Sequence, residues 1–257
     1  MAKIHFLGTA SGTEPIKGMH HTCFCIEAGD YVYWFDAGEN CSRNAHLSGI
    51  DLLSVRAVFI SHTHMDHLGG LGNLLWNIRK LTTLSERRPP NKKINLFIPN
   101  LFMWNALENL LAHTEGGFKC DFDILTSRTK DGLVYEDDNI KVMAFHNHHL
   151  QSEENDGWLS YSYLININNK KILFSGDIRD MHDLDDALLG GCDILLVETG
   201  HHKLSDICEY VKTKSIGKII FIHHGREIIN DLKGAQEKLL SFPCDAKISF
   251  DTITEEI

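Results

Sequence analysis

Apolar and polar positions alternate along the chain in two patterns that predict different elements. Short runs rich in Val, Ile, Phe and Tyr are typical of strands, whereas longer stretches with apolar residues three and four apart predict helices. The predicted strands are Lys3–Leu7, Thr22–Glu27, Tyr31–Asp36, Ala57–Ser61, Asn95–Ile98, Ile140–Phe145, Leu159–Asn166, Lys171–Ser175, Ile194–Glu198 and Lys218–His223. The predicted helices are Leu68–Lys80, Leu101–His113, Met181–Leu189, Leu204–Lys212 and Gly234–Leu240.

The order of these elements predicts the fold class. Closely spaced strands come first, as hairpins, and later strands alternate with helices, which predicts sheets covered by helices in an α/β sandwich. No Pro-, Gly- or Ser-rich linker divides the chain, so the sequence predicts one domain over residues 1–257. The helix Leu101–His113 has the clearest pattern, and its predicted buried face consists of Met103, Trp104, Leu107, Leu110 and Leu111.

Several of the predicted strands end in residues that bind metals or carry protons. Ligands of α/β sheets bind outside the carboxyl ends of the strands, so these side chains converge on one edge if their strands are neighbours. The sequence therefore predicts a functional site at that edge. The residues at these strand ends are Asp36, the histidines from His62 onward, Asp177, Glu198 with His201 and His202, and His223 with His224.

The charge of the chain narrows the choice of partners. Its 257 residues include 25 Lys and Arg against 35 Asp and Glu, which gives a formal net charge of −10. Proteins that bind long polyanions usually carry a basic surface, so this composition disfavours such a partner. The one short basic segment, SERRPPNKK, is predicted to be a solvated loop.

The cysteines and the N-terminus predict a cytoplasmic location. The seven cysteines are scattered and include no C-x-x-C pair, which is typical of free thiols in a reducing compartment. Cys23 and Cys25 are predicted to pack in the core. The opening MAKIHFLGT has the pattern of a first strand and not of a signal peptide. No apolar stretch approaches the roughly 20 residues of a membrane span, so no membrane partner is expected.

The most informative segment is His62-Thr63-His64-Met65-Asp66-His67, within a chain of sixteen histidines. Neutral imidazole is the commonest protein ligand for transition metals. Residues two apart in extended chain point the same way, so His62 and His64 can hold one ion. Asp66 and His67 lie where the chain turns into a helix and point elsewhere, which suits a second ion. The segment therefore predicts a pair of metal sites.

HTHMDH resembles the HxHxDH motif of the metallo-β-lactamase superfamily, and the other polar strand ends match that family's later motifs in order. The resemblance implies an αββα four-layer sandwich. It also implies two divalent transition-metal ions, with zinc the first choice and manganese or iron the alternatives. The resemblance gives His62, His64 and His149 to the first metal, Asp66, His67 and His223 to the second, and Asp177 to a bridge between them.

Two of these ligands belong to adjacent pairs of histidines. His148 stands beside His149, and His224 stands beside His223. Because side chains alternate in direction along extended chain, only one member of each pair can face the metals. We prefer His149 because the preceding strand places it at the distance usual in the family that the motif resembles. We prefer His223 because it closes its apolar run, and His148 and His224 remain alternatives.

The opening FLGTASGTEP and the segment FDAGEN resemble the FLGTGS-x-x-P and FDCGEG motifs of ribonuclease Z, a tRNA-trimming hydrolase of this superfamily, and VETG resembles its HEAT segment. The resemblance implies a phosphodiesterase in which a hydroxide that bridges the metals attacks phosphorus and Asp66 orients it. It further implies that Glu198 keeps His201 protonated, so that His201 donates a proton to the leaving group. His202 is the alternative to His201.

The substrate is less closely defined by the sequence. Ribonuclease Z has a long Gly/Pro-rich arm that grips tRNA, and here the corresponding stretch contains only the SERRPPNKK loop. The expected substrate is therefore a small-molecule or nucleic-acid phosphodiester, with tRNA disfavoured. Hydrolysis of a lactone or thioester is the second hypothesis, and a non-catalytic metal-binding scaffold is the third. A homodimer is compatible with the sequence.

Overall fold

Two mixed β-sheets form the centre of the fold in a computed structural model that describes residues 2–150 and 157–257. The strands are β1 (Lys3–Gly8), β2 (Cys23–Ala28), β3 (Tyr31–Phe35), β4 (Val55–Phe59), β5 (Lys93–Ile98), β6 (Asp123–Arg128), β7 (Gly132–Glu136), β8 (Ile140–His146), β9 (Tyr161–Ile167), β10 (Lys170–Phe174), β11 (Cys192–Glu198), β12 (Ile216–Ile222), β13 (Asp245–Ile248) and β14 (Thr254–Glu256). The α-helices are α1 (Cys41–Leu47), α2 (Met65–Leu68), α3 (Leu71–Leu84), α4 (Leu101–Ala112), α5 (Leu204–Val211), α6 (Arg226–Asn230) and α7 (Leu232–Leu239).

Each sheet is antiparallel in one half and parallel in the other. The first sheet has the order β14-β1-β2-β3-β4-β5-β6, and its strands run parallel from β3 to β6. The second has the order β13-β12-β11-β10-β9-β8-β7, and its strands run parallel from β10 to β13. Because parallel neighbours end at the same edge of a sheet, the polar residues that follow β4, β10, β11 and β12 gather at two adjoining edges.

Three apolar clusters account for a four-layer arrangement. The central cluster lies between the sheets and is aromatic: Phe24 stacks on Phe35 with ring centroids 4.9 Å apart and meets Phe174 of the other sheet edge-on at 5.0 Å. A second cluster joins the outer face of the first sheet to α1, α3 and α4. A third joins the outer face of the second sheet to α5, α6 and α7. The predicted αββα sandwich is confirmed.

Each predicted strand recurs in the structure within a few residues of its predicted bounds, but the predicted helix Leu68–Lys80 is wrong as a single element. The chain forms the short helix α2 and then the separate helix α3, with Gly69 and Gly70 between them. A Cβ atom at Gly70 would lie 2.1 Å from the carbonyl oxygen of Gly38, so only glycine allows this close approach. The break lets the segment that carries Asp66 and His67 take a direction different from that of α3.

The predicted helix Met181–Leu189 is also wrong. Only Met181–Leu184 is helical, as a single 3₁₀ turn. Asp180 caps the start of this turn, because its carboxylate accepts a hydrogen bond from the backbone N–H of His182. Beyond Leu184 the N–H groups of Asp185, Leu189 and Gly191 donate to carbonyl oxygens three residues back, so the chain continues as turns and not as an α-helix.

The predicted buried face of the helix Leu101–His113 is wrong at Leu110, which is 63% exposed and lies on the solvent side of α4. The elements that sequence reasoning missed are short or weakly patterned: α1, α6, β6, β7, β13 and β14.

Two predictions about composition can be compared with the structure. All seven cysteines are free thiols, and Cys23 and Cys25 lie buried in the cluster beneath α1 and α3. Within residues 2–150 and 157–257, no helix combines the length and the apolar character that crossing a membrane requires.

Candidate metal centre

The first group of donor atoms contains three imidazoles and one carboxylate oxygen. His62 and His64 follow β4, and His149 follows β8. The His62 Nε2 atom lies 3.1 Å from His64 Nδ1, which in turn lies 3.3 Å from His149 Nε2. The Oδ2 atom of Asp177 lies 3.7 Å from both His62 Nε2 and His149 Nε2. These atoms form one compact set.

The second group lies on the other side of Asp177. The Oδ1 atom of Asp177 lies 3.2 Å from His67 Nε2 and 3.3 Å from His223 Nε2. The Oδ2 atom of Asp66 lies 3.4 Å from His67 Nε2 and 3.2 Å from His223 Nε2. Each oxygen of Asp177 therefore faces a different set of three side chains.

The spacing of these atoms fits two metal ions. An ion bound tetrahedrally by nitrogen at about 2.0–2.1 Å separates its ligand atoms by about 3.3–3.4 Å, the edge of the tetrahedron. The observed separations are 3.1–3.7 Å in the first group and 3.2–3.4 Å in the second, so both ranges include that value. Among the described residues, His67 Nε2 and Asp177 Oδ1 are buried without a hydrogen-bond partner, although both point to the centre of the second group. A bound cation would satisfy them.

The charges at this centre also favour a cation. Burial would lower the pKa of His223, but the carboxylates of Asp177, Asp66 and Glu198 outweigh it and raise that pKa to about 9. Burial would likewise lower the pKa of His67, yet Asp177 and Asp36 raise it well above its usual value. Positive charge is therefore stabilised between these residues.

Asp36 fixes the orientation of the ligands from beneath. Its Oδ2 atom lies 2.6 Å from His67 Nδ1 and accepts a hydrogen bond from the Ser61 hydroxyl at 2.8 Å, while Oδ1 accepts one from the Ser61 N–H at 2.6 Å. The Ser61 hydroxyl also lies 3.0 Å from His62 Nδ1. One buried carboxylate thus holds His67 directly and His62 through Ser61. The sequence identified Asp36 as a polar residue at the strand end FDAGEN, and the structure gives it this supporting role.

His223 occupies an unusual backbone position. Its φ is +49°, in the left-handed region that non-glycine residues seldom adopt. A Cβ atom at Gly200 would lie 2.5 Å from His223 Nδ1, so the neighbouring segment must carry glycine there. Backbone strain of this kind collects at functional sites, where the surrounding structure over-determines the conformation.

The structure separates the members of each adjacent histidine pair. His149 joins the first group, whereas His148 turns away and its Nδ1 lies 2.5 Å from an Asp183 carboxylate oxygen. His223 joins the second group, whereas the Nε2 of His224 lies 2.6 Å from the carbonyl oxygen of Ser249.

Glu198 and His201 form a pair beside both groups. The Nδ1 atom of His201 lies 2.9 Å from Glu198 Oε2 and 3.7 Å from Asp177 Oδ2. The hydrogen bond to Glu198 raises the pKa of His201. Burial would raise the pKa of Glu198, but hydrogen bonds with His201 and His223 lower it to about 2. His202 instead lies 3.0 Å from the carbonyl oxygen of Ile178.

A cavity of about 500 Å³ opens onto the donor groups. His64, Asp66, Asp177, His201 and His223 line its floor. Its other wall comes from the loop between β1 and β2 and from the start of α6. In the sequence, the loop served only as part of a motif that resembles ribonuclease Z, and the residues of this wall were not predicted to belong to the site. They are Ser11, Gly12, Thr13, Glu14 and Arg226.

This fold occurs in several solved structures. The metallo-β-lactamase fold protein YhfI from Bacillus subtilis superposes with a TM-score of 0.73 at 14% identity, over 100% of this chain and 99% of that one. The short form of human tRNase Z superposes with a TM-score of 0.72 at 17% identity, over 99% of each chain.

Curated relatives are similar in sequence. Ribonuclease Z of Picrophilus torridus is 27% identical over 276 residues, covering 90% of this chain and 87% of that protein. Ribonuclease Z of Methanothermobacter thermautotrophicus is 28% identical over 144 residues, covering 56% of this chain and 43% of that protein. The alignment thus spans less than half of the second relative. The anti-Pycsar protein Apyc1 of Bacillus phage BSP38 is 25% identical over 248 residues, covering 87% of this chain and 89% of that protein.

The fold, the donor groups and these relatives define a class: the protein is a metal-dependent hydrolase of the metallo-β-lactamase superfamily and is similar to ribonuclease Z. Within that class, the family model described as anti-Pycsar protein Apyc1 matches residues 2–240. The chain belongs to this family.

Proposed function

We propose that this protein is a phosphodiesterase that works with two divalent metal ions, zinc in the first place. His62, His64 and His149 would hold one ion, and Asp66, His67 and His223 the other, with Asp177 shared. The observation that most supports the proposal is the position of Asp177. Its two carboxylate oxygens face two separate sets of donor atoms at 3.2–3.7 Å. Two bound ions would activate water at neutral pH and neutralise charge on phosphoryl oxygens.

The side chains around this centre would orient the reactants and move a proton. Asp66 lines the cavity, where its carboxylate would orient the attacking water. His201 is half-exposed at the same cavity, and its bond to Glu198 favours the protonated imidazole. Protonated His201 would donate its proton to the departing oxygen, which otherwise leaves as an unfavourable alkoxide.

A small phosphodiester fits this protein better than tRNA does. From α2 to β8 the chain is occupied by helices, strands and short connections, and this described stretch contains no long arm. The net charge of −10 also disfavours a long polyanion. Relatives named ribonuclease Z and Apyc1 support a phosphorus substrate over the alternative of a lactone or thioester. We place this activity in one domain, residues 1–257, and in the cytoplasm, since every thiol is free.

A parallel activity screen tests the proposal. The purified protein, reconstituted with zinc, would be offered bis(p-nitrophenyl) phosphate, a nucleoside cyclic monophosphate, precursor tRNA, a lactone and a thioester. We expect turnover of the small diesters that chelator abolishes and zinc restores. Turnover of the lactone or thioester alone would replace the proposal with the second hypothesis. Two bound zinc ions without turnover of any substrate would support the scaffold hypothesis.

A further inference from the structure

An ion pair crosses the mouth of the cavity and is not used by the proposed chemistry. Arg226 begins α6, and Glu14 lies in the loop between β1 and β2. The Arg226 Nη2 atom donates to the Glu14 carboxylate, although the two residues are 212 positions apart in sequence. The pair thus links two elements that enclose the same cavity.

The pair lies close to the donor groups. A Cβ atom at Gly12, two residues before Glu14, would lie 3.1 Å from Asp66 Oδ2. On the other side, Arg226 follows His223 by three residues. Both charged side chains line the cavity together with Asp66 and His223, so a molecule seated over the donor groups comes within reach of them.

A structural role explains this pair poorly. The side chains of Arg226 and Glu14 are 52% and 64% exposed, and exposed ion pairs contribute little to stability. Among the described residues that line this cavity, Arg226 is the one lysine or arginine, whereas Glu14, Asp66 and Asp177 are acidic. A lone guanidinium in an acidic cavity suits the recognition of an anion, because its planar set of donors matches phosphate and carboxylate oxygens.

We infer that Arg226 is an anion-binding residue that gives this site its preference for negatively charged substrates. The inference rests on the proposed function and specifies its substrate class: an anionic phosphodiester small enough to reach from the donor groups to Arg226 within the cavity. In the absence of substrate, the Glu14 carboxylate accepts the hydrogen bond of the Arg226 guanidinium. It therefore competes with the oxygens of the substrate for that guanidinium. A neutral lactone or thioester gains nothing from this contact.

The test compares four proteins on two probes. Arg226→Gln keeps the length and polarity of the side chain but removes its charge. We expect it to raise the KM for bis(p-nitrophenyl) phosphate about tenfold and to weaken inorganic phosphate binding, measured by calorimetry on zinc-loaded protein, by a similar factor. The kcat should stay within about twofold, and the zinc content should not change. Arg43→Gln, on the exposed face of α1 outside this cavity, is the matched control and should alter neither value.

Glu14→Gln separates recognition from structure. It breaks the same ion pair but leaves the arginine free, so phosphate binding should stay the same or become tighter. If Glu14→Gln and Arg226→Gln weaken phosphate binding equally, the pair itself matters and the inference is overturned. Unchanged phosphate binding by Arg226→Gln would overturn it as well. The binding measurement needs no turnover, so a wild-type protein that binds phosphate through Arg226 but cleaves no diester would contradict only the proposed function.

Discussion

The two donor groups that share Asp177 differ in how firmly the protein holds them. In the group of Asp66, His67 and His223, both imidazoles are fully buried, and Asp36 fixes one of them at 2.6 Å. In the group of His62, His64 and His149, only His62 is buried, while His64 is exposed and His149 is partly exposed. The buried group is preorganised by its surroundings, whereas the open group faces the cavity and solvent. We therefore expect two ions of unequal affinity, with the open group releasing its ion first.

Removing the shared ligand should erase the difference. Asp177→Ala takes one carboxylate oxygen from each donor group. The two metal ions would then face each other with less negative charge to compensate theirs. Both ions should be lost together, and activity on any diester should fall to background. Elemental analysis of the reconstituted variant would check this. A variant that retains two ions and its turnover would show that Asp177 is a structural residue at the end of β10.

Removing a ligand from the open group should expose the difference. His64→Ala leaves that group with two imidazoles and a carboxylate oxygen, too few donors for a closed tetrahedral site. We expect one ion to be lost and the other retained, with activity lost because the proposed reaction needs both. His67→Ala is the matched change in the buried group. If His64→Ala loses both ions while His67→Ala loses one, the order of affinities is the reverse of our expectation.

The next effect concerns His201, whose Nδ1 lies 3.7 Å from the shared Asp177 but which belongs to neither set of three. A general acid is typically worth about 10²–10⁴-fold when the leaving oxygen is a poor leaving group. His201→Ala should slow cleavage of a nucleotide diester by about that factor and cleavage of a p-nitrophenyl ester far less, because phenolate leaves without a proton.

Zinc content separates the two roles that His201 could have, and it should not change in His201→Ala. Equal slowing of both substrates, or loss of metal, would make His201 a ligand or a support residue. The same experiment on His202, whose Nε2 lies 3.0 Å from the Ile178 carbonyl oxygen, should then follow.

The sequence predicted the floor of this site better than its surroundings. His62, His64, Asp66 and His67 lie within six residues, so local geometry alone brings them near one another. The convergence of Asp177 and His223 followed from their place at the ends of parallel strands. The resemblance already implied that Asp177 is shared, but which donor atoms face each of its two oxygens depends on where β8, β10 and β12 lie within the second sheet.

Other features depend on tertiary contacts that a single sequence does not encode in its local pattern. The ion pair of Glu14 with Arg226 joins residues 212 apart. The helix break at Gly70 depends on the backbone of Gly38, more than thirty positions away. At Met181–Leu189 the apolar spacing favoured a helix, but beyond Leu184 the backbone forms turns in which N–H groups donate to carbonyl oxygens three residues back. The ion pair and the helix break thus depend on residues that are distant in sequence.

The smallest effect tests why the buried group is the firmer one. Asp36 has a φ of +53°, a conformation that asparagine tolerates, so Asp36→Asn changes the carboxylate without adding backbone strain. The amide presents one acceptor oxygen in place of two, and it cannot accept at once from both groups of Ser61 and from His67. We expect zinc affinity in the buried group to fall about 10–100-fold, the usual range for such supporting contacts.

Ser61→Ala is the matched change on the open side of the same network. It removes the hydroxyl that lies 3.0 Å from His62 Nδ1 but keeps the backbone N–H that Asp36 Oδ1 accepts. Its effect should fall mainly on the open group, because His67 retains its direct contact with Asp36. A competition titration of each variant against a chelator that changes colour when it binds zinc would measure the zinc affinities of the buried group and the open group separately. If Asp36→Asn weakened only the more weakly bound ion, support by Asp36 would not be the reason that the two groups differ, and burial alone would have to account for it.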